Sequence, residues 1–135
     1  MLTTGCIHPD IMAAIALCGH GSKILIADGN YPLAARSGSA KKVYLGVSPG
    51  LPTVTAVLSA LLSVLNVEKA EVMLPEDGSR PEIFDEFAAL LPKLELTGLG
   101  RYPYYEACEK PEVCLAISTG EKRVYANILL TVGVA

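Results

Sequence analysis

Tryptophan is absent and phenylalanine occurs only twice in the 135 residues, so aromatic side chains make up just 6% of the chain. A core built this way must rest on aliphatic packing. Charge is also sparse, at 19% of residues. Eleven Lys and Arg against 14 Asp and Glu leave a formal net charge of -3. That balance excludes the basic surface on which non-specific nucleic-acid binding depends. Charges are interspersed, with no acidic or basic tail. No apolar stretch reaches the ~18 residues needed to cross a bilayer as a helix, so no membrane association is expected. The opening Met1-Leu2-Thr3-Thr4-Gly5 lacks the basic and apolar regions of a secretion signal. A cytoplasmic location is therefore expected.

Cysteine chemistry is thin as well. Cys6, Cys18, Cys108 and Cys114 show no Cys-x-x-Cys spacing and lie far apart or in apolar stretches. They read as free thiols acting as small buried hydrophobes. Cys6 and His8 resemble half of a metal site, but no second Cys/His pair follows, and no metal is expected. A phosphate-binding P-loop is missing too. Gly19-His20-Gly21 has two glycines of a dinucleotide fingerprint in the wrong context, because a helix precedes it and a strand follows.

Hydrophobic residues are plentiful, at 51%, and the mean hydropathy is +0.41. A domain of this size has much surface for its volume. Large apolar patches are uncommon on monomers, so association into a homo-oligomer is expected.

The layout alternates helices with short apolar strands and suggests one domain over 1–135. Residues 8–19 read as a helix begun by His8-Pro9-Asp10 and ended by Gly19. Residues 23–27 form a buried strand closed by the turn Asp28-Gly29-Asn30. A polar loop over 36–42 leads to a strand over 42–47. Val54, Val57, Leu58, Leu61, Leu62 and Leu65 form the clearest helical stripe. Strand 70–74, helix 81–91, strand 95–99, helix 104–110 and strands 113–118 and 127–132 follow. The pattern predicts an α/β fold with a largely buried sheet between helical layers. Only about eight residues join the last two strands, too few for a parallel crossover, so an antiparallel or irregular edge is expected there.

Three clusters carry polar chemistry. His20 lies between two glycines that allow close approach of backbone and ligand. Histidine ordinarily titrates near pH ~6.5 and can give and take protons at neutral pH. Asp28 stands at the far end of the following strand, where loops of α/β folds hold ligands. The plainer alternatives are a histidine capping a helix end and an aspartate making a turn. The second cluster, Arg101-Tyr102-Pro103-Tyr104-Tyr105-Glu106, holds three of the six tyrosines. An Arg fork and flat Tyr faces suit a polyhydroxylated ring, although packing on a neighbouring subunit would account for them equally well. The third cluster runs from Thr119-Gly120-Glu121 to Tyr125-Ala126-Asn127. Its Tyr and Asn share one side of an extended segment, and alone it is an ordinary loop entering a strand.

Taken together, the clusters resemble the bacterial ribose pyranase and L-fucose mutarotase family over nearly the whole chain. The resemblance runs from the helix before Gly19-His20-Gly21, through Ile26-Ala27-Asp28 and Tyr104-Tyr105-Glu106-Ala107. It ends on Thr119-Gly120-Glu121, Tyr125-Ala126-Asn127-Ile128-Leu129-Leu130 and Gly133-Val134. It implies a three-layer α/β/α sandwich with a mixed sheet, and a decamer of two stacked pentameric rings. It also implies that His20 is the catalytic histidine and that Asp28 binds sugar. Tyr125 and Asn127 would be the Tyr-x-Asn that contacts the sugar, and Arg101 the sugar-binding arginine of the fucose branch.

Some residues depart from the pattern. Ser22 stands where the fucose branch has an acidic residue, residues 29–46 look shortened, and Ala126 replaces a glycine. Gly50-Leu51-Pro52-Thr53 is closer to the ribose branch, whereas Arg101 and Tyr104-Tyr105-Glu106-Ala107 lean towards fucose.

The expected reaction is exchange of monosaccharide anomers, with L-fucose or a similar sugar as substrate. His20 would shuttle the proton as the ring opens and closes, Tyr125 would be a second proton-transfer or orienting group, and Asp28, Arg101 and Asn127 would grip hydroxyls. Neither metal nor cofactor is required. Closure through a different hydroxyl would make the reaction that of a D-ribose pyranase. A non-catalytic sugar-binding accessory of a transport system would not need His20 as a base, and a purely structural ring protein would not need the polar clusters.

Overall fold

A computed structural model describes all 135 residues. The first helix, α1 (Pro9–Ile15), begins as expected. His8 is its N-cap, with Nδ1 accepting from the Ile11 amide at 3.4 Å, and Pro9 opens the first turn. It ends four residues early because Leu17 and Cys18 donate to Ala14 and Ile15, three residues back, which tightens the last turn. Then come β1 (Lys23–Ala27), β2 (Lys41–Tyr44) and α2 (Val54–Leu62). Thr53 caps α2 by accepting from Ala56. Next are β3 (Val67–Met73), α3 (Ile83–Leu90) and β4 (Leu96–Leu99). The chain finishes with α4 (Arg101–Cys108), β5 (Val113–Ser118) and β6 (Ile128–Val132). Helix α4 starts three residues earlier than the pattern suggests, taking Arg101 into its first turn.

The six strands form one sheet in the order β2-β5-β1-β6-β3-β4. Five run in one direction, and β6 alone is antiparallel, pairing with β1 and β3. The expected edge at the end of the chain is therefore wrong in place. Strands β5 and β6 are not neighbours, and β6 lies inside the sheet, where Ile128, Leu129 and Leu130 are wholly buried. A short connection does not require pairing when β1 sits between the two strands it joins.

Alternation along the strands sorts side chains onto two faces. Ile24, Ile26, Leu115, Ile117, Ile128 and Leu130 pack with α1, α2 and α3. Val54, Leu58 and Leu61 of α2 are fully buried there, each contributing ~1.5–3 kcal/mol of apolar transfer energy. On the other face, Leu25, Ala27, Ala116 and Leu129 pack with Tyr104 and Cys108 of α4 and with Tyr31 and Leu33. The result is the expected three-layer α/β/α sandwich with a mixed sheet, its second layer made of one helix and the 31–40 loop.

Tyr104 is completely buried in this second core. It is thus unavailable for packing on a neighbouring subunit, the alternative offered for its tyrosine-rich segment, and Tyr102 is the exposed member. Cys6 and Cys108 are buried as expected, whereas Cys18 and Cys114 are half-buried and meet each other. No helix is long and apolar enough to cross a membrane.

Candidate active site

The single direction of five strands gathers their carboxyl ends at one rim of the sheet. Asp28 follows β1 and makes an Asx turn, its Oδ1 accepting from the amides of Asn30 (2.8 Å) and Tyr31 (2.9 Å). Asn127 stands just before β6 and clasps it: Asn127 Oδ1 accepts from the Asp28 amide at 2.8 Å, and Nδ2 donates to Asp28 Oδ2 at 3.1 Å. These bonds lock the end of β1 to the start of β6. Burial pushes the Asp28 carboxyl above its ordinary value, although the surrounding N–H donors oppose the shift.

Tyr125 is the only non-glycine residue with positive φ, at 59°. Such a backbone is uncommon outside glycine and collects at functional sites. The segment before it is tightly held. Thr119 Oγ1 donates to the Ala27 carbonyl at 2.8 Å, and the Glu121 carbonyl accepts from the Gly29 amide at 2.9 Å. A Cβ on Gly120 would come within 2.3 Å of the Leu51 carbonyl, so only glycine fits there. The buried Glu121 carboxylate receives Arg123 Nε and Nη2, both at 3.0 Å, and the Val54 amide at 3.4 Å. Arg123 above all holds this carboxyl below its ordinary value.

So fixed, the Tyr125 hydroxyl accepts a hydrogen bond from Arg101 Nη2 at 3.0 Å. Tyr105, one turn along α4, packs edge-on to Tyr31 at 5.6 Å, and the Arg36 guanidinium lies 4.9 Å from its ring centre. Asp28, Asn127, Arg101, Tyr125, Tyr31 and Tyr105 all line one cavity of about 210 Å³. Drug-sized ligands occupy ~300–1,000 Å³, so this space suits something smaller. Four of the five residues singled out in the sequence therefore converge. Tyr105 comes from the tyrosine-rich cluster read as suited to a sugar ring, whereas Tyr31 was missed as a lining residue. Tyr31 follows the Asp28 turn directly, and that adjacency was the available signal.

His20 is not among them. It precedes β1, at the opposite end of the sheet. The five residues of β1 alone span roughly 16 Å at the usual ~3.3 Å rise. Gly21 has φ +87°, which favours glycine, and its amide donates to Val132 at 2.9 Å. The His20 side chain is 59% exposed and does not cap α1. Its Nε2 lies 3.0 and 2.9 Å from the two carboxylate oxygens of Glu68, a partner the sequence did not suggest. In the neutral ring a nitrogen facing a carboxylate carries the hydrogen, which leaves Nδ1 as the free acceptor.

The family model described as the RbsD / FucU transport protein family matches residues 1–135. The chain belongs to this family. It is 33% identical to the D-ribose pyranase of Paracidovorax citrulli over 134 residues, covering 99% of this chain and 98% of that one. The D-ribose pyranase of Enterococcus faecalis is 34% identical over 131 residues, covering 96% and 95%. Among solved structures, Bacillus subtilis RbsD complexed with D-ribose superposes with a TM-score of 0.88 at 27% identity, covering 100% of this chain and 99% of that one. The Streptococcus pneumoniae fucose mutarotase in complex with L-fucose gives 0.81 at 26% identity, covering 96% and 94%. Pyranases and mutarotases are isomerases that act on monosaccharides. The lean of the sequence towards L-fucose is not supported above ribose, since both kinds of relative match.

Proposed function

We propose that this protein is a monosaccharide isomerase that opens and recloses a pyranose ring, and that its site is shared between two copies of the chain. The observation that carries the reading is the convergence of Asp28, Asn127, Arg101 and Tyr125 on a small cavity walled by Tyr31 and Tyr105. Arg101 and the Tyr125 hydroxyl can grip sugar hydroxyls, and the Tyr rings offer flat apolar faces. Asn127 and Asp28 bond chiefly to each other and to backbone, so they set the rim as well as face the cavity. As the ring opens, the anomeric hydroxyl gives up a proton and the ring oxygen receives one. Tyr125 is the proton-transfer or orienting group on the cavity side. The free Nδ1 of His20, with Nε2 held by Glu68, is the acid/base group brought by a neighbouring copy.

Both ends of the molecule suit such a contact. Tyr102 and Val124, beside the cavity, are each 63% exposed, and Leu17, three residues before His20, is 89% exposed. Joining the cavity end of one copy to the His20 end of the next is a head-to-tail contact, which closes into a ring when its rotation permits. A ring of five, stacked in pairs, is the assembly the family resemblance suggests. The sugar is a pentose or 6-deoxyhexose of the ribose or fucose kind.

The test is NMR saturation transfer between anomers of D-ribose, L-fucose and D-galactose, with and without the protein. Accelerated exchange of at least one sugar is expected. Unchanged exchange across the panel would defeat the enzyme reading, and binding without exchange would make the protein a sugar-binding accessory.

A further inference from the structure

Two thiols that no sugar chemistry uses meet beside the His20 segment. Cys18 lies in the turn after α1, and Cys114 lies in β5 at an irregularity in the ladder. Lys23 faces Val113 and Ile24 faces Leu115, so Cys114 is the extra residue on its strand. That irregularity turns its side chain towards α1. The two Sγ atoms are 2.6 Å apart, although 96 residues separate them in the chain. Cys18 Sγ also points to the Ala14 carbonyl at 3.6 Å, and Cys114 Sγ to the Lys23 carbonyl at 3.4 Å. Both residues are half-buried, and Cys18 borders the same cleft as His20.

We propose that Cys18 and Cys114 form a peroxide-reactive dithiol, in which Cys114 attacks and Cys18 resolves. The geometry places the two sulfurs in contact, and either thiol can donate to the other. With Cys18 as the donor, the Cys114 thiol is lowered and becomes the readier nucleophile of the pair. The same bond pushes the Cys18 thiol up and keeps it protonated.

In the first step the Cys114 thiolate attacks hydrogen peroxide or an organic hydroperoxide. An S–O bond forms, the O–O bond breaks, and hydroxide or alkoxide leaves and takes up the proton that the Cys114 thiol released on ionising, giving water or the alcohol. In the second step Cys18 loses its proton and attacks the Cys114 sulfenic acid. The S–S bond forms, the S–O bond breaks, and the oxygen leaves as water. Two thiols are oxidised by two electrons and one peroxide bond is reduced. With the sulfurs already in contact, closure needs little more than side-chain adjustment. The product ties the turn after α1 to β5, two residues before His20. A disulfide of this kind inside a cell would be transient and regulatory, not structural. The proposal does not depend on which sugar the protein handles, or on whether it handles one.

The experiment uses the reduced full chain and one equivalent of hydrogen peroxide, read by intact mass and a non-reducing peptide map. The expected result is loss of two hydrogens per chain, a Cys18–Cys114 cross-link, and full reversal by a dithiol reductant. In Cys18→Ser, a 1,3-dione probe should trap a sulfenic acid on Cys114. Cys114→Ser should consume peroxide at least about tenfold more slowly, because it removes the attacking sulfur of the contacting pair. Modification of Cys6 or Cys108 ahead of this pair, cross-links between chains, or an unchanged mass in excess peroxide would each overturn the proposal. The map of the parent chain decides the matter even if either variant fails to fold.

Discussion

If the cavity and His20 come from different copies, two inactive variants should repair one another. The first carries His20→Ala and keeps an intact cavity. The second carries Arg101→Ala with Tyr125→Phe and keeps His20. Removing both members of the Arg101–Tyr125 hydrogen bond leaves neither without its partner. Each variant alone should retain on the order of 1% of parent exchange or less, since losing positioned proton transfer costs ~100- to 10,000-fold. When the two are unfolded, mixed in equal amounts and refolded, each site has an even chance of an intact cavity and an even chance of an intact His20. About one quarter of parent activity should return if assortment in the head-to-tail ring is random. The assay is saturation transfer on whichever sugar the parent exchanges fastest, with light scattering to confirm that mixed assemblies match the parent in size. Activity no higher than the average of the two variants, in assemblies of parent size, would refute a shared site.

Other outcomes follow from single contacts. Glu68→Ala should slow exchange about tenfold with little change in sugar affinity, because it frees the His20 ring without touching the cavity; equal losses in both would refute the orienting role. Tyr125→Gly should cost at least about 100-fold in exchange, while thermal unfolding shows unchanged or slightly raised stability from relief of ~1 kcal/mol of backbone strain. Tyr104→Phe should be neutral or stabilising by ~1 kcal/mol in urea unfolding, because its buried hydroxyl has no partner. Glu121 titrates below its ordinary value when folded, so its contribution is present above the unfolded carboxyl range and is lost as pH falls through the lower folded value. Glu121→Gln should therefore flatten the acid limb of the stability profile, and an unchanged limb would count against the Arg123 pairing.

Much of this molecule was legible in its sequence, for physical reasons. Every strand was found because the apolar runs are short and bounded by turn residues. The layers followed from the alternation of those runs with helical stripes. Asp28, Asn127, Arg101 and Tyr125, which line one cavity, stood out as donors, acceptors and flat faces in short clusters, and the family resemblance supplied the roles expected of them. The place of β6 was not legible, since its neighbours are set by which strand slips between β5 and itself. Glu68 was missed because it lies 48 residues from His20, and only the pairing of β3 with β6 brings it near. The separation of His20 from the cavity was hidden because eight residues look close in a sequence, although an extended strand spends them end to end. The meeting of Cys18 with Cys114 depended on one extra residue in a ladder, which spacing does not reveal.

The interior position of β6 also governs how the chain can acquire its structure. The strand that joins β1 to β3 is the sixth of the six in chain order, so the two halves of the sheet cannot be united until all the others have been made. Strand β1 is made early, but its partners in β5 and β6 lie about a hundred residues later. Pairings so distant in sequence slow folding and prolong the exposure of unpaired strand edges. Folding should thus be cooperative across all six strands. A chain lacking β6 would be two unjoined parallel blocks prone to aggregation, not a smaller working protein.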